Sequence, residues 1–101
     1  MSSVTSPYVF PTLTKLLTGN YNILDESMLI CNTDGGSFTV TLPARADAKN
    51  RRYYIKKADN SANIVTIAVT DGNIEGNATF DIAAPNGAVV VVTDGIGWFI
   101  F

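Results

Sequence analysis

DGGSFTVTLPARADAKNRRYYIKKAD, residues 34–59, decides the fold class. In its first half Phe38, Val40 and Leu42 share one parity, and Ser37, Thr39 and Thr41 the other. That alternation marks a strand with one buried face. Pro43 ends the run, since proline has no N–H to give to a ladder. Arg52–Ala58 resumes the pattern, with Tyr53 and Ile55 on one parity and Arg52, Tyr54 and Lys56 on the other. Between the two strands, Pro43–Asn50 reads as a surface loop or one helical turn, and the whole stretch as a hairpin-like unit. Lys57 falls on the apolar parity, so its expected place is near the strand end, where its head reaches water.

Working outward, the same chemistry recurs. Tyr21–Leu24, Met28–Asn32, Asn63–Thr70 and Ala78–Ile82 are strand candidates, separated by Asp-, Asn-, Ser- and Gly-rich turns. Val89–Val92 and Trp98–Phe101 are apolar on both parities, which predicts cover on both faces. Asp94-Gly95-Ile96-Gly97 joins them as a hairpin connection. A run of four valines left on an exposed edge invites aggregation, so it should be central or paired with another chain. Regularly spaced strands without a long helical pattern predict an all-β fold: a small antiparallel β-sandwich or barrel, jelly-roll-like, for residues 20–101.

Residues 1–19 differ. Pro7 and Pro11 push their neighbours toward extended geometry, so this segment reads as an N-terminal arm with one helical turn at most over Thr12–Leu17. Its Tyr8, Val9, Phe10, Pro11 and Leu13 are the expected contacts to a partner, because bulky apolar side chains on a tail are unfavourable in water. Before Lys15 there is no basic residue, and the prolines interrupt the apolar run that a signal peptide needs.

Composition excludes several classes. A chain of 101 residues accommodates one domain with one modest core. It is 47 % hydrophobic and 16 % charged, apolar enough to predict contact with another chain. No apolar run approaches the ~20 residues of a membrane-spanning helix. A net charge of −2 has the wrong sign for binding nucleic acid.

Catalytic constellations are missing from the pattern. There is no histidine to act as a general base. Asp25 and Glu26 are adjacent and belong to a turn, and Cys31, the only cysteine, sits in an apolar strand and reads as a small core residue. Asp71, Asn73, Glu75 and Gly76 imitate the start of a calcium loop, but Ile82 stands where the closing carboxylate should be. The basic cluster Lys49, Arg51, Arg52, Lys56 and Lys57 is divided between strand faces by alternation. The sequence therefore predicts a protein without catalysis, metal or cofactor.

In succession, SFTVTLPARADAKNRRYYIKKADNSANIVTI, IEGNATF and VVVVTDGIGWFIF resemble a β-rich module of tailed-bacteriophage virion proteins, found in fibres, spikes and small head-attached proteins. The matching elements are Gly35-Gly36, Thr39–Pro43, Arg51–Lys57, Ser61–Ile67, Ile74–Gly76 and Thr93–Trp98. This resemblance implies a module that commonly trimerises. With only a short arm before the module, it implies a capsid decoration (cement) protein on the virion surface, made in the bacterial host cytoplasm. The expected partners are the major capsid protein and its own copies, the latter through Val89, Val91, Trp98, Phe99 and Phe101. The alternative is a head-fibre or tail-fibre module that recognises host glycans through Trp98 or the tyrosines.

Overall fold

In the computed structural model, which describes residues 13–101, each strand-like run becomes a strand. In chain order these are β1 (Thr14–Leu17), β2 (Tyr21–Asn22), β3 (Met28–Cys31), β4 (Phe38–Thr41), β5 (Arg52–Lys57), β6 (Val65–Ala68), β7 (Thr79–Ile82), β8 (Ala88–Thr93) and β9 (Trp98–Ile100). One helical turn, α1 (Arg45–Ala48), interrupts them. The fold is all-β.

Two sheets form: β1-β3-β5-β8-β9 and β2-β4-β6-β7. Strands one to six alternate between them, and β1, β3 and β5 run parallel, as do β2, β4 and β6. The chain thus climbs as a coil, each turn laying one strand on each sheet. Contacts between the second and third turns recur 26 residues apart, as in Thr33 with Asp59 and Arg45 with Asp71. Only the last strands reverse: β7 pairs antiparallel with β6, β8 with β5, and β9 with β8.

Two expectations are corrected here: the antiparallel arrangement of residues 20–101, since both sheets are mixed, and the hairpin-like unit at residues 34–59. β4 and β5 lie in different sheets, and the segment holding α1 carries the chain across. Alternation reports that each strand has one buried face. It does not report which strand is its neighbour, and two sheets sharing a core satisfy the pattern as well as a hairpin does. Asn50, at φ 65°, takes the left-handed turn from α1 into β5, a conformation asparagine tolerates.

A third correction concerns Thr14–Leu17. Assigned with the arm by sequence, it is the edge strand of the five-stranded sheet, with Leu17 buried against the core. Its β-branched content is low, and pairing with β3 rather than propensity holds it extended. The valine run behaves as expected: β8 is central, between β5 and β9, and Asp94–Gly97 is a hairpin connection.

Inward residues of both sheets belong to one buried cluster. Leu29, Cys31, Tyr53, Ile55, Val91 and Trp98 come from one sheet, and Phe38, Val40, Val65, Ile67 and Ile82 from the other. Burying one such side chain contributes ~1.5–3 kcal/mol, so this shared core is what holds the two sheets together.

Candidate functional site

The two outward faces have opposite chemistry. On the four-stranded sheet the outward positions of β4, β6 and β7 are Thr39, Thr41, Thr66, Ala68, Thr79 and Asp81, small and mostly polar. On the five-stranded sheet, register aligns Met28, Tyr54 and Val90 in one row, and mutual backbone hydrogen bonds with Val90 add Phe101. The rows on either side are Leu16, Ile30, Lys56 and Ala88, and Arg52, Val92 and Phe99. Leu16 is 73 % exposed, Phe101 80 %, Tyr54 and Phe99 42 % each, and Met28 38 %. A contiguous apolar sheet face of this kind is the usual sign of an interaction surface.

The residues singled out from sequence are distributed unevenly over this surface. Tyr8, Val9, Phe10 and Pro11 lie outside the described residues. Leu13 is exposed, and its carbonyl accepts hydrogen bonds from the N–H groups of Ser27 and Met28, which anchors the start of β1. Phe99 and Phe101 stand on the outward face, while Val89 is half-buried against the core. Val91 and Trp98 are corrected: both are completely buried within the chain and have no surface to offer a second copy. Their parity in β8 and β9 turns them inward, opposite the strand neighbours that face out. Leu16, Met28, Tyr54, Val90 and Val92 were missed. The signal available was parity, since Tyr54 opposes Tyr53 in the alternation and Val90 and Val92 oppose Val91.

Burial also removes Trp98 as a platform for a sugar. Its indole packs edge-to-face with Tyr53, ring centres 6.0 Å apart, and among the described residues neither its Nε1 nor the Tyr53 hydroxyl has a hydrogen-bond partner. Burial pushes the Tyr53 phenol up from its ordinary value.

Beside Trp98 lies an open groove of about 510 Å³, lined by Arg45, Asn73, Glu75, Gly97 and Phe99 among others. Its charged groups are already engaged. Arg45 Nε donates to Asp71 Oδ1 at 3.1 Å, and Nη1 donates to the Ile96 carbonyl. Glu75 Oε2 accepts from the Ile100 N–H at 2.9 Å. The calcium-like sequence is thereby spent on the protein's own groups. Gly72 sits at φ +73°, a conformation that favours glycine, and a Cβ there would lie 2.9 Å from Arg45 Cδ and push the arginine side chain aside.

The remaining polar constellation is internal. Lys57, expected near water, is completely buried, with Nζ 2.8 Å from Asp59 Oδ1 and 2.7 Å from the Ser61 carbonyl. Asp59 also accepts from the Thr33 N–H and hydroxyl and from the Ser61 N–H and hydroxyl. Burial pushes the Asp59 carboxyl up, but hydrogen bonds from Lys57, Ser61 and Thr33 outweigh it and hold the group well below the usual carboxylate range. The pair ties the turn after β3 to the turn after β5, one coil above it. Cys31 lies within the same core, where burial pushes its thiol up to about 12, far from the reactive thiolate.

The basic cluster is dispersed accordingly. Lys57 points inward, Arg52 and Lys56 outward, and Arg51 lies over the Tyr53 ring and donates to the Asp25 carbonyl. Compared with known proteins, the chain matches no family model and no curated sequence. What the described residues offer is area for association: an apolar face with two cations on it.

Proposed function

We propose that the chain is a structural protein of a tailed-phage virion, a capsid decoration (cement) protein that binds the assembled head and stabilises it. The observation that carries this reading is the outward face of the five-stranded sheet, which presents apolar area and no assembled chemistry. The order of motifs from Gly35-Gly36 to Trp98 supports the same assignment. In this reading the two sheets make a β-sandwich, three copies form a trimer, and Tyr8–Leu13 contact the major capsid protein. Preferential binding to the assembled shell over free subunits stabilises the shell by mass action, with no bond made or broken.

Co-sedimentation of the purified protein with heads of the encoding phage that lack it provides the test. Binding that saturates at a symmetric copy number, together with a raised head-disruption temperature, is the expected result. Heads that neither bind the protein nor gain stability would overturn the reading. A second reading, a fibre module binding host glycans, is favoured by one feature: exposed Phe99 borders the groove that holds Arg45, Asn73 and Glu75. Aromatic and hydrogen-bonding groups in one cleft suit a sugar. Hits on a glycan array that vanish in Phe99→Ala would support this alternative.

A further inference from the structure

The outward face of the five-stranded sheet carries the side chains of Arg52 and Lys56 and, among its described residues, no Asp or Glu side chain. The chain as a whole has a net charge of −2. With +2 on this face, the rest of the molecule carries −4, and its carboxylates are set on other surfaces: Asp25 after β2, Asp34 after β3, Asp81 outward on β7 and Asp94 after β8. The molecule is therefore polar in charge as well as in hydropathy. One face is apolar and cationic, and the remainder is anionic.

Size matters too. The five most exposed apolar side chains on the face, Leu16, Met28, Tyr54, Phe99 and Phe101, leave on the order of 600 Å² open, close to the ~800 Å² that each partner of a stable complex buries. Two copies of the face stacked on each other would bring four cationic side chains together without an acidic side chain between them. A second copy meeting it with any of its carboxylate-bearing surfaces would supply one. Contacts of unlike patches also build rings, whereas a face paired with itself closes as a dimer.

We infer that this face is the self-association surface, and that it docks head-to-tail on a carboxylate-bearing surface of a second copy of the chain. This deepens the trimer in the functional reading above and rests on that reading only for the number of copies. Arg52 and Lys56 set the orientation, while Tyr54, Phe99 and Phe101 supply the buried area.

Light scattering on the full chain, with dissociation constants from sedimentation equilibrium, tests the inference. Wild type should assemble. Arg52→Glu/Lys56→Glu should raise its dissociation constant at least ~10-fold, since it sets like charges across the contact. Tyr54→Lys/Phe99→Lys should be monomeric with an unchanged circular dichroism spectrum. A wild type that stays monomeric overturns the inference, and so does either folded variant assembling as wild type does. An unchanged dissociation constant for the charge-reversed variant points to face-on-face packing, where like charges of either sign meet, and overturns the head-to-tail contact. If the lysine pair impairs folding, the charge reversal still decides, as it changes only exposed tips. Head binding separates this from the functional reading. A monomer that decorates heads defeats the inference and the trimer but leaves head binding standing, and an oligomer that ignores them defeats the function but leaves the inference standing.

Discussion

Replacing Lys57 by Met tests what holds adjacent coils together. The substitution keeps the aliphatic stem and volume of a completely buried side chain but deletes the ammonium that bonds Asp59 Oδ1 and the Ser61 carbonyl. Asp59 then remains charged inside, held only by Thr33 and Ser61 donors. Breaking a buried pair from one side costs about 3–5 kcal/mol. The four surviving donors place Lys57→Met at the lower end, near ~3 kcal/mol, against a total of ~5–15 for a domain of this kind. At ~4–8 °C per kcal/mol in a domain of about 100 residues, the melting temperature should fall by roughly 12–24 °C. Calorimetry at pH 7 measures the loss. Repeating it in acid adds a second reading: without the ammonium the Asp59 pKa rises, so acid neutralises the stranded carboxylate and the gap to wild type narrows. A loss under about 3 °C, or a gap that widens in acid, would refute a buried Lys57–Asp59 pair.

Two further outcomes follow from the same interior. In the wild type, the folded Asp59 pKa is depressed below its unfolded value. Its contribution to stability is therefore complete above about pH 4 and is lost as pH falls through the folded value. Melting temperatures measured between pH 6 and pH 2 should decline, and Asp59→Asn should flatten part of that decline; identical slopes would count against it. Tyr53→Phe removes a buried hydroxyl that lacks a partner among the described residues and leaves the ring in place. Relief of an unsatisfied group of about 1–3 kcal/mol should raise the melting temperature by at least ~4 °C, whereas a lower value would reveal a bonded hydroxyl.

Much of this molecule is legible residue by residue. Alternation around Phe38, Val40, Tyr53 and Ile55 identifies strands and their inner faces, Asp94–Gly97 identifies a hairpin, and the valine run identifies a strand that cannot be an edge. The exposed apolar face was legible only in part. Phe99 and Phe101 stand exposed, as their place in an expected interface requires, but Trp98 and Val91 are buried, a distinction hidden by a run that is apolar on both parities. Tyr54 and Met28 come from separate coils, and nothing in their local sequence announces that they are neighbours.

Sequence by itself determined that residues 34–59 hold two half-buried strands joined by a short polar segment, because side-chain parity is a local property of an extended backbone. Only the tertiary structure decided that those strands belong to different sheets and pair in parallel with other coils. Pairing depends on backbone hydrogen bonds between segments 26 or 27 residues apart, as where Leu29 lies beside Ile55 and Val40 beside Ile67, and those bonds are blind to side-chain identity. The same distance explains Lys57. Its own strand predicts a lysine seeking water, and the Thr33 and Asp59 turns stacked over it make the interior a place where its charge is satisfied.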